Sequence, residues 1–251
     1  MGSNKSGFEN ENKLIKYMND KKVKELNKNL KEFIYFLFNN INEESNIKVL
    51  EGKKGQKPDI IISIDNNIKR ISIKKGSGNS VHQEKINVFT EFLSEINISD
   101  EIINELLRFH WGDNTCDGTG EERISGTKYK QIFPDKIDKI NLEFNKETNK
   151  KQFINRFILQ GKSDKYDIVD ALYYGNVEEG HWASKDEIID YFINNTFKND
   201  SIHFGPLTYQ VWNRCLNLKP EMENRRYVMQ VKWGSLLKDL VIIEKNRIPK
   251  N

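Results

Sequence analysis

The sequence predicts an α/β fold from three observations. Two helix-period segments open the chain, β-branched runs follow on either side of a tight turn, and another helix-period segment comes after a glycine loop. Phe8, Leu14, Ile15 and Met18 recur at near-helical spacing, and VKELNKNLKEFIYFLFNNI, from Val23, continues the pattern. NIKVLEG, from Asn46, reads as a short strand, and PDIIISID, from Pro58, is a β-branched run. Asn66-Asn67 favours a tight turn because asparagine tolerates positive φ. In IKRISIKKG the period is two: Ile71 and Ile73 point one way, while Arg70, Ser72 and Lys74 point the other. The result is a hairpin with one apolar and one polar face. After the loop GSGNS, a helix is predicted through VHQEKINVFTEFLSEI, with Ser80 and Gln83 as its capping box.

Beyond residue 100 the sequence predicts a helix through DEIINELLRFHWG, a polar loop, and helices around 134 to 159. YDIVDALYYG resembles a strand, SKDEIIDYFINN a helix capped by Ser184, and RRYVMQVKWG a late strand. No Pro/Gly/Ser-rich stretch marks a boundary. Residues 1–100 are read as a catalytic core, and 101–251 as the remainder of the sheet and a DNA-recognition portion, with one continuous domain as the alternative.

Length and composition suit a globular chain with a large core: 251 residues, 31% charged and 37% hydrophobic. A net charge of +3 is only mildly basic, so phosphate contacts must come from local clusters. One such cluster, formed by Lys53, Lys54, Lys57, Lys69, Arg70, Lys74 and Lys75, brackets the hairpin; Arg225 and Arg226 form a later pair. Cys116 and Cys215 carry no zinc spacing and read as reduced thiols. The polar amino terminus has no signal-peptide core and no segment reaches membrane length, so a cytoplasmic location with no membrane partner is expected.

Asp59 at the start of one strand and Lys74 at the end of its partner fold back to lie side by side. Phosphodiester hydrolysis uses such a pair: a carboxylate for a hard divalent cation, and a lysine for the attacking water and the developing charge. Pro58-Asp59 with Ser72-Ile73-Lys74 resembles the signature of the PD-(D/E)XK nuclease superfamily, which includes many restriction endonucleases and Holliday-junction resolvases. The resemblance covers about the first 95 residues. It implies a restriction-endonuclease-like core with a central mixed sheet flanked by helices, and a carboxy-terminal α/β recognition portion. It implies Mg²⁺ as cofactor, held by Asp59, the Ile73 backbone carbonyl and a second acid, with Lys74 at the attacking water.

The sequence departs from the family pattern at Ser72. Some members, among them restriction enzymes that cut at CCGG cores, also have Ser or Thr there and supply the carboxylate from the following helix. Glu84, expected in the first turns of that helix, is preferred for this role over Glu91. GFENE resembles the opening helix of such nucleases, where an acid after an aromatic residue reaches the metal; Glu9 is the expected equivalent, with Glu11 in reserve.

His82 fits either a phosphate contact or the capping of the helix. Lys75, Gln83, Gln210, Asn213 and Arg214 are candidates for DNA contact, the last three in HFGPLTYQVWNR, where they could read base edges; Trp212 there suits a core equally well. The four histidines show no metal-ligand pairing, and DGTG lacks the lysine of a phosphate loop. The expected activity is that of a type II restriction enzyme. It would act as a homodimer on double-stranded DNA, beside a DNA methyltransferase acting on the same site. The alternatives are a structure-specific nuclease of the junction-resolvase kind and a catalytically inactive DNA-binding module.

Overall fold

The computed structural model describes residues 3–76, 79–161, 167–212 and 220–247. In chain order the regular elements are α1 Ser3–Met18, α2 Lys28–Leu37, β1 Ile47–Glu51, β2 Ile60–Ile64, β3 Asn67–Lys74, β4 Ser80–Lys85, α3 Ile86–Glu95, α4 Asp100–Trp111, α5 Gly126–Ile132, α6 Pro134–Phe144, α7 Glu147–Ile154, β5 Ala171–Gly175, β6 Gly180–Ser184, α8 Lys185–Asn194, β7 His203–Phe204, β8 Leu207–Val211, β9 Val228–Lys232 and α9 Leu236–Asn246. Contacts divide the chain into two units, each assembled from separate stretches: residues 1–79, 154–191 and 235–251, and residues 80–153 and 192–234. The division at residue 100 expected from the sequence is therefore not where the contacts divide it.

The first unit holds a five-stranded mixed sheet in the order β1-β2-β3-β5-β6. β1, β2 and β3 are antiparallel neighbours, β3 runs parallel to β5 with Ile71 beside Ala171, and β6 returns antiparallel to β5. On β2, Ile60, Ile62 and Ile64 are buried and alternate with partly exposed Ile61 and Ser63, the period-two pattern of a sheet face laid on a core. Helix α1 packs on β1 and β3, while α2 and α9 pack on β6. In α2 the buried side chains Leu30, Phe33, Ile34 and Leu37 form one stripe, and Asn27 caps the helix by accepting the Leu30 amide at 2.9 Å. Phe33 lies 4.8 Å from the Tyr173 ring and 5.3 Å from Trp182, joining that stripe to β5 and β6.

The second unit is built on a four-stranded antiparallel sheet, β4-β9-β8-β7. Phe144, Phe153 and Phe204 cluster with centroid separations of 4.4–5.1 Å. His110 is enclosed between the Tyr209 hydroxyl at 2.5 Å and the Arg226 carbonyl at 2.6 Å.

Most elements form where the sequence predicts them, including the capping box of α8, where Ser184 Oγ accepts the Glu187 amide and Glu187 accepts the Ser184 amide. Two expectations are corrected. The hairpin turn is Asp65-Asn66 rather than Asn66-Asn67: Asn67 already pairs with Ile64, and Asp65 takes the positive φ, 52°. The helix expected from Ser80 begins at Ile86; Ser80–Lys85 is a strand, because β9 offers it a ladder of antiparallel partners that no local pattern reveals. Among the described residues no helix is long and apolar enough to cross a membrane.

Phe33→Ala is expected to lower unfolding free energy by about 3–5 kcal/mol, read from the denaturant midpoint. Leu50→Ala, at a side chain 64% exposed on β1, should change it by less than about 0.5 kcal/mol.

Candidate active site

The hairpin makes the site. Pro58 enters β2 at a position where the missing amide is harmless, and the Asp59 amide extends the ladder by donating to the Ile71 carbonyl at 2.9 Å. On the other side the Gly52 amide donates to the Asp59 carbonyl at 2.9 Å. A Cβ on Gly52 would lie 1.8 Å from the Pro58 carbonyl oxygen, so only glycine allows this approach. The Asp59 backbone is thus gripped from both neighbouring strands.

Asp59 Oδ2 accepts three hydrogen bonds: from Ser72 Oγ at 3.0 Å, from the Ile73 amide at 2.5 Å and from Lys74 Nζ at 3.3 Å. Lys74 Nζ also donates to the Ile73 carbonyl at 2.9 Å. Ser72 is 3% exposed, whereas the Asp59 and Lys74 side chains keep 23% and 22% of their surface. Ser72 therefore acts as a buried donor to the aspartate, and the charged pair faces outward.

Helix α1 adds a carboxylate, but not the one expected. Glu9 is exposed, while Glu11, two residues on and some 200° around the helix, is half-buried within electrostatic reach of Asp59, Lys74 and Glu51. Its carboxyl is raised to about 7 by burial and then by the Asp59 carboxylate; Lys74 opposes the shift and Glu51 adds to it. Glu51 closes β1 beside Ile60, a neighbour the sequence reading missed because strand register, not spacing, brings it here.

Glu84 and His82 belong to the second unit, on a strand and not the helix that recommended Glu84; the Glu84 side chain is fully enclosed, its Oε1 3.2 Å from His82 Nε2. Glu91 is exposed on α3. Gln83, Gln230 and Gln210 stand in register across β4, β9 and β8, Gln83 donating to Gln230 at 3.2 Å and Gln230 to Gln210 at 3.4 Å. Asn213 and Arg214 lie outside the described residues. Trp212 is 41% exposed under the Arg225 guanidinium, so it is not a core residue. Lys75 is exposed at the end of β3, whereas Lys57 donates to the Phe157 carbonyl and Arg70 pairs with Asp167 at 3.2 Å. Part of the basic cluster is therefore structural.

Among the described residues no three His, Cys, Asp or Glu side chains form a metal-binding group. The Asp59 carboxylate and the Ile73 carbonyl meet at Lys74 Nζ, and the Glu11 carboxylate lies within electrostatic reach of Asp59; all are hard oxygens of the kind Mg²⁺ takes. The Lys74 ammonium rests on the first two of these, so a cation is already accommodated there.

No protein-family model matches the chain, and no curated protein matches it in sequence. Among solved structures, restriction endonuclease MspI in complex with its cognate DNA is similar, with a TM-score of 0.53 over 81% of this chain and 76% of that one, at 16% identity. The mixed five-stranded sheet with its flanking helices is thus a restriction-endonuclease-like fold.

Gly52→Ala should destabilise the protein by about 3 kcal/mol through backbone overpacking. Gly234→Ala, where an added Cβ meets nothing within 4 Å, should be neutral or stabilising by up to about 1 kcal/mol; paired urea titrations measure both.

Proposed function

We propose that the chain is a Mg²⁺-dependent endonuclease that cleaves double-stranded DNA at a specific short sequence, in the manner of a type II restriction enzyme. The observation that carries this reading is the convergence of Asp59, the Ile73 carbonyl and Lys74 at the end of a β-hairpin. The fold supports it, being similar to that of a restriction endonuclease bound to DNA. Asp59, the Ile73 carbonyl and Glu11 would hold the ion. Bound Mg²⁺ polarises the phosphate and lowers the pKa of its water. Lys74 would orient the attacking water and offset the negative charge developing on the phosphate oxygens. Ser72 fixes the Asp59 carboxylate by donating to it, so its buried hydroxyl has a task without being a ligand. Cutting both strands of a palindrome calls for two such sites, hence a homodimer, and a cognate DNA methyltransferase would protect the host's copies of the sequence.

Glu11 replaces Glu9 as the helical acid in this reading, and it takes precedence over Glu84 because the helix that recommended Glu84 is a strand. Incubation with unmethylated phage DNA and Mg²⁺ should give discrete fragments that disappear on chelation. Asp59→Ala and Lys74→Ala should each cost at least about 10²-fold in cleavage rate. Cleavage that persists in Asp59→Ala, or no metal-dependent cutting of any DNA, would sink the proposal. A separate comparison fixes the second carboxylate: Glu11→Gln should be impaired, with Glu9→Gln and Glu91→Gln close to wild type. An inactive Glu84→Gln beside an active Glu11→Gln would transfer the role to Glu84.

A further inference from the structure

A cleft of about 580 Å³ opens in the first unit beside α1. Asn10, Lys13 and Tyr17 stand on one stripe of that helix, Lys16 lies next to them, and Lys75 and Val177 face them. Lys13, Lys16 and Lys75 are exposed, and none of the three has a carboxylate partner among the described residues. Glu178 is the acid in the lining, leaving two positive charges uncompensated. Several lysines elsewhere on the unit are engaged: Lys22 and Lys24 with Glu44, Lys31 with Glu43, Lys57 with a carbonyl.

A second observation points to a ligand. Asn10 is only 1% exposed; its Nδ2 donates to the Gly175 carbonyl at 2.8 Å, while its Oδ1 is buried with no hydrogen-bond partner. Buried polar groups are normally paired, so an unpaired acceptor on a residue lining a basic cleft suits a molecule carrying both anionic groups and hydrogen-bond donors. The cleft and the reacting groups share elements: Asn10 and Glu11 both stand on α1, and Lys75 follows Lys74 at the end of β3.

We propose that this cleft binds a nucleic-acid strand next to the cleavage site, with Lys13, Lys16 and Lys75 on successive phosphates and Asn10 Oδ1 accepting from a base amino group or terminal hydroxyl. The nuclease reading supplies the identity of the strand, and the proposal rests on it to that extent. The contacts to phosphate add affinity without selecting sequence, leaving selection to other parts of the chain.

The test is binding of a short labelled duplex to the full-length chain in EDTA, followed by anisotropy as salt is varied. Each phosphate contact contributes about −0.9 to the slope of log K against log salt, so Lys13→Gln/Lys16→Gln/Lys75→Gln should flatten the slope by about 2 to 3. Lys28→Gln/Lys48→Gln/Lys238→Gln removes the same charge from other exposed positions and should flatten it by less than about 1. Equal slopes for the two triple variants, or a cleft variant with the wild-type slope, would overturn the proposal. Displacement of the duplex by excess mononucleotide at matched ionic strength would overturn a strand as the occupant. Loss of metal-dependent cutting with the slope effect intact defeats the nuclease reading alone, and cutting with no slope effect defeats the cleft alone.

Discussion

One carboxylate oxygen, Asp59 Oδ2, fixes the geometry of this protein's candidate site. Its three donors come from consecutive residues of β3, a side-chain hydroxyl, a backbone amide and an ammonium. They can converge only if β2 and β3 pair in the observed register, since a one-residue slip would send Ser72 and Lys74 to the opposite face. Hydrogen bonds to an ionised group are worth about 1.5–3 kcal/mol each, so the aspartate and the register stabilise one another. Gly52 and Pro58 serve the same end by letting β1 close over the Asp59 backbone. Ser72 makes sense in this light: its hydroxyl donates to Asp59 and helps hold the carboxylate in place.

Charge is sorted over a short stretch of surface. Glu11, Glu51 and Asp59 share one neighbourhood with Lys74, and three lysines without carboxylate partners stand in the adjoining cleft. Lys74 pairs with Asp59, whereas the cleft lysines are held on helix α1 and the end of β3 without carboxylate partners among the described residues. That arrangement creates opposite potentials side by side, one suited to a small cation and the other to phosphate.

Much of this was legible in the sequence and some of it could not have been. The hairpin, Asp59, Lys74 and α2 were readable because period-two and helical patterns are local. The turn was misplaced by one residue because Asp65 and Asn66 both tolerate turn geometry, and only the pairing of Ile64 with Asn67 decides between them. Glu9 and Glu11 look alike in GFENE; the rotation that turns Glu11 toward Asp59 depends on how α1 rests on β1 and β3. Residues 80–85 were misread because the partner of β4 lies almost 150 residues away in β9, and tertiary pairing overrides local preference. The Lys57 and Arg70 charges were unassignable for the same reason, their partners Phe157 and Asp167 being remote.

The interleaving of the two units bears on how the polypeptide comes off the ribosome. The hairpin carrying Asp59 and Lys74 is synthesised early, yet the outer edge of β3 is paired only when β5 emerges, a hundred residues after Ile71. Until then that strand offers unsatisfied amides and carbonyls beside a β-branched run, the kind of edge on which chains associate wrongly. Closing so long a loop is entropically slow, so the nascent reactive end needs shielding for longer than a contiguous domain would. A fragment cut at residue 100 would keep every group around Asp59 and still lack β5, β6 and α9. In this chain the chemical groups are local in sequence, whereas the scaffold that makes them durable is not.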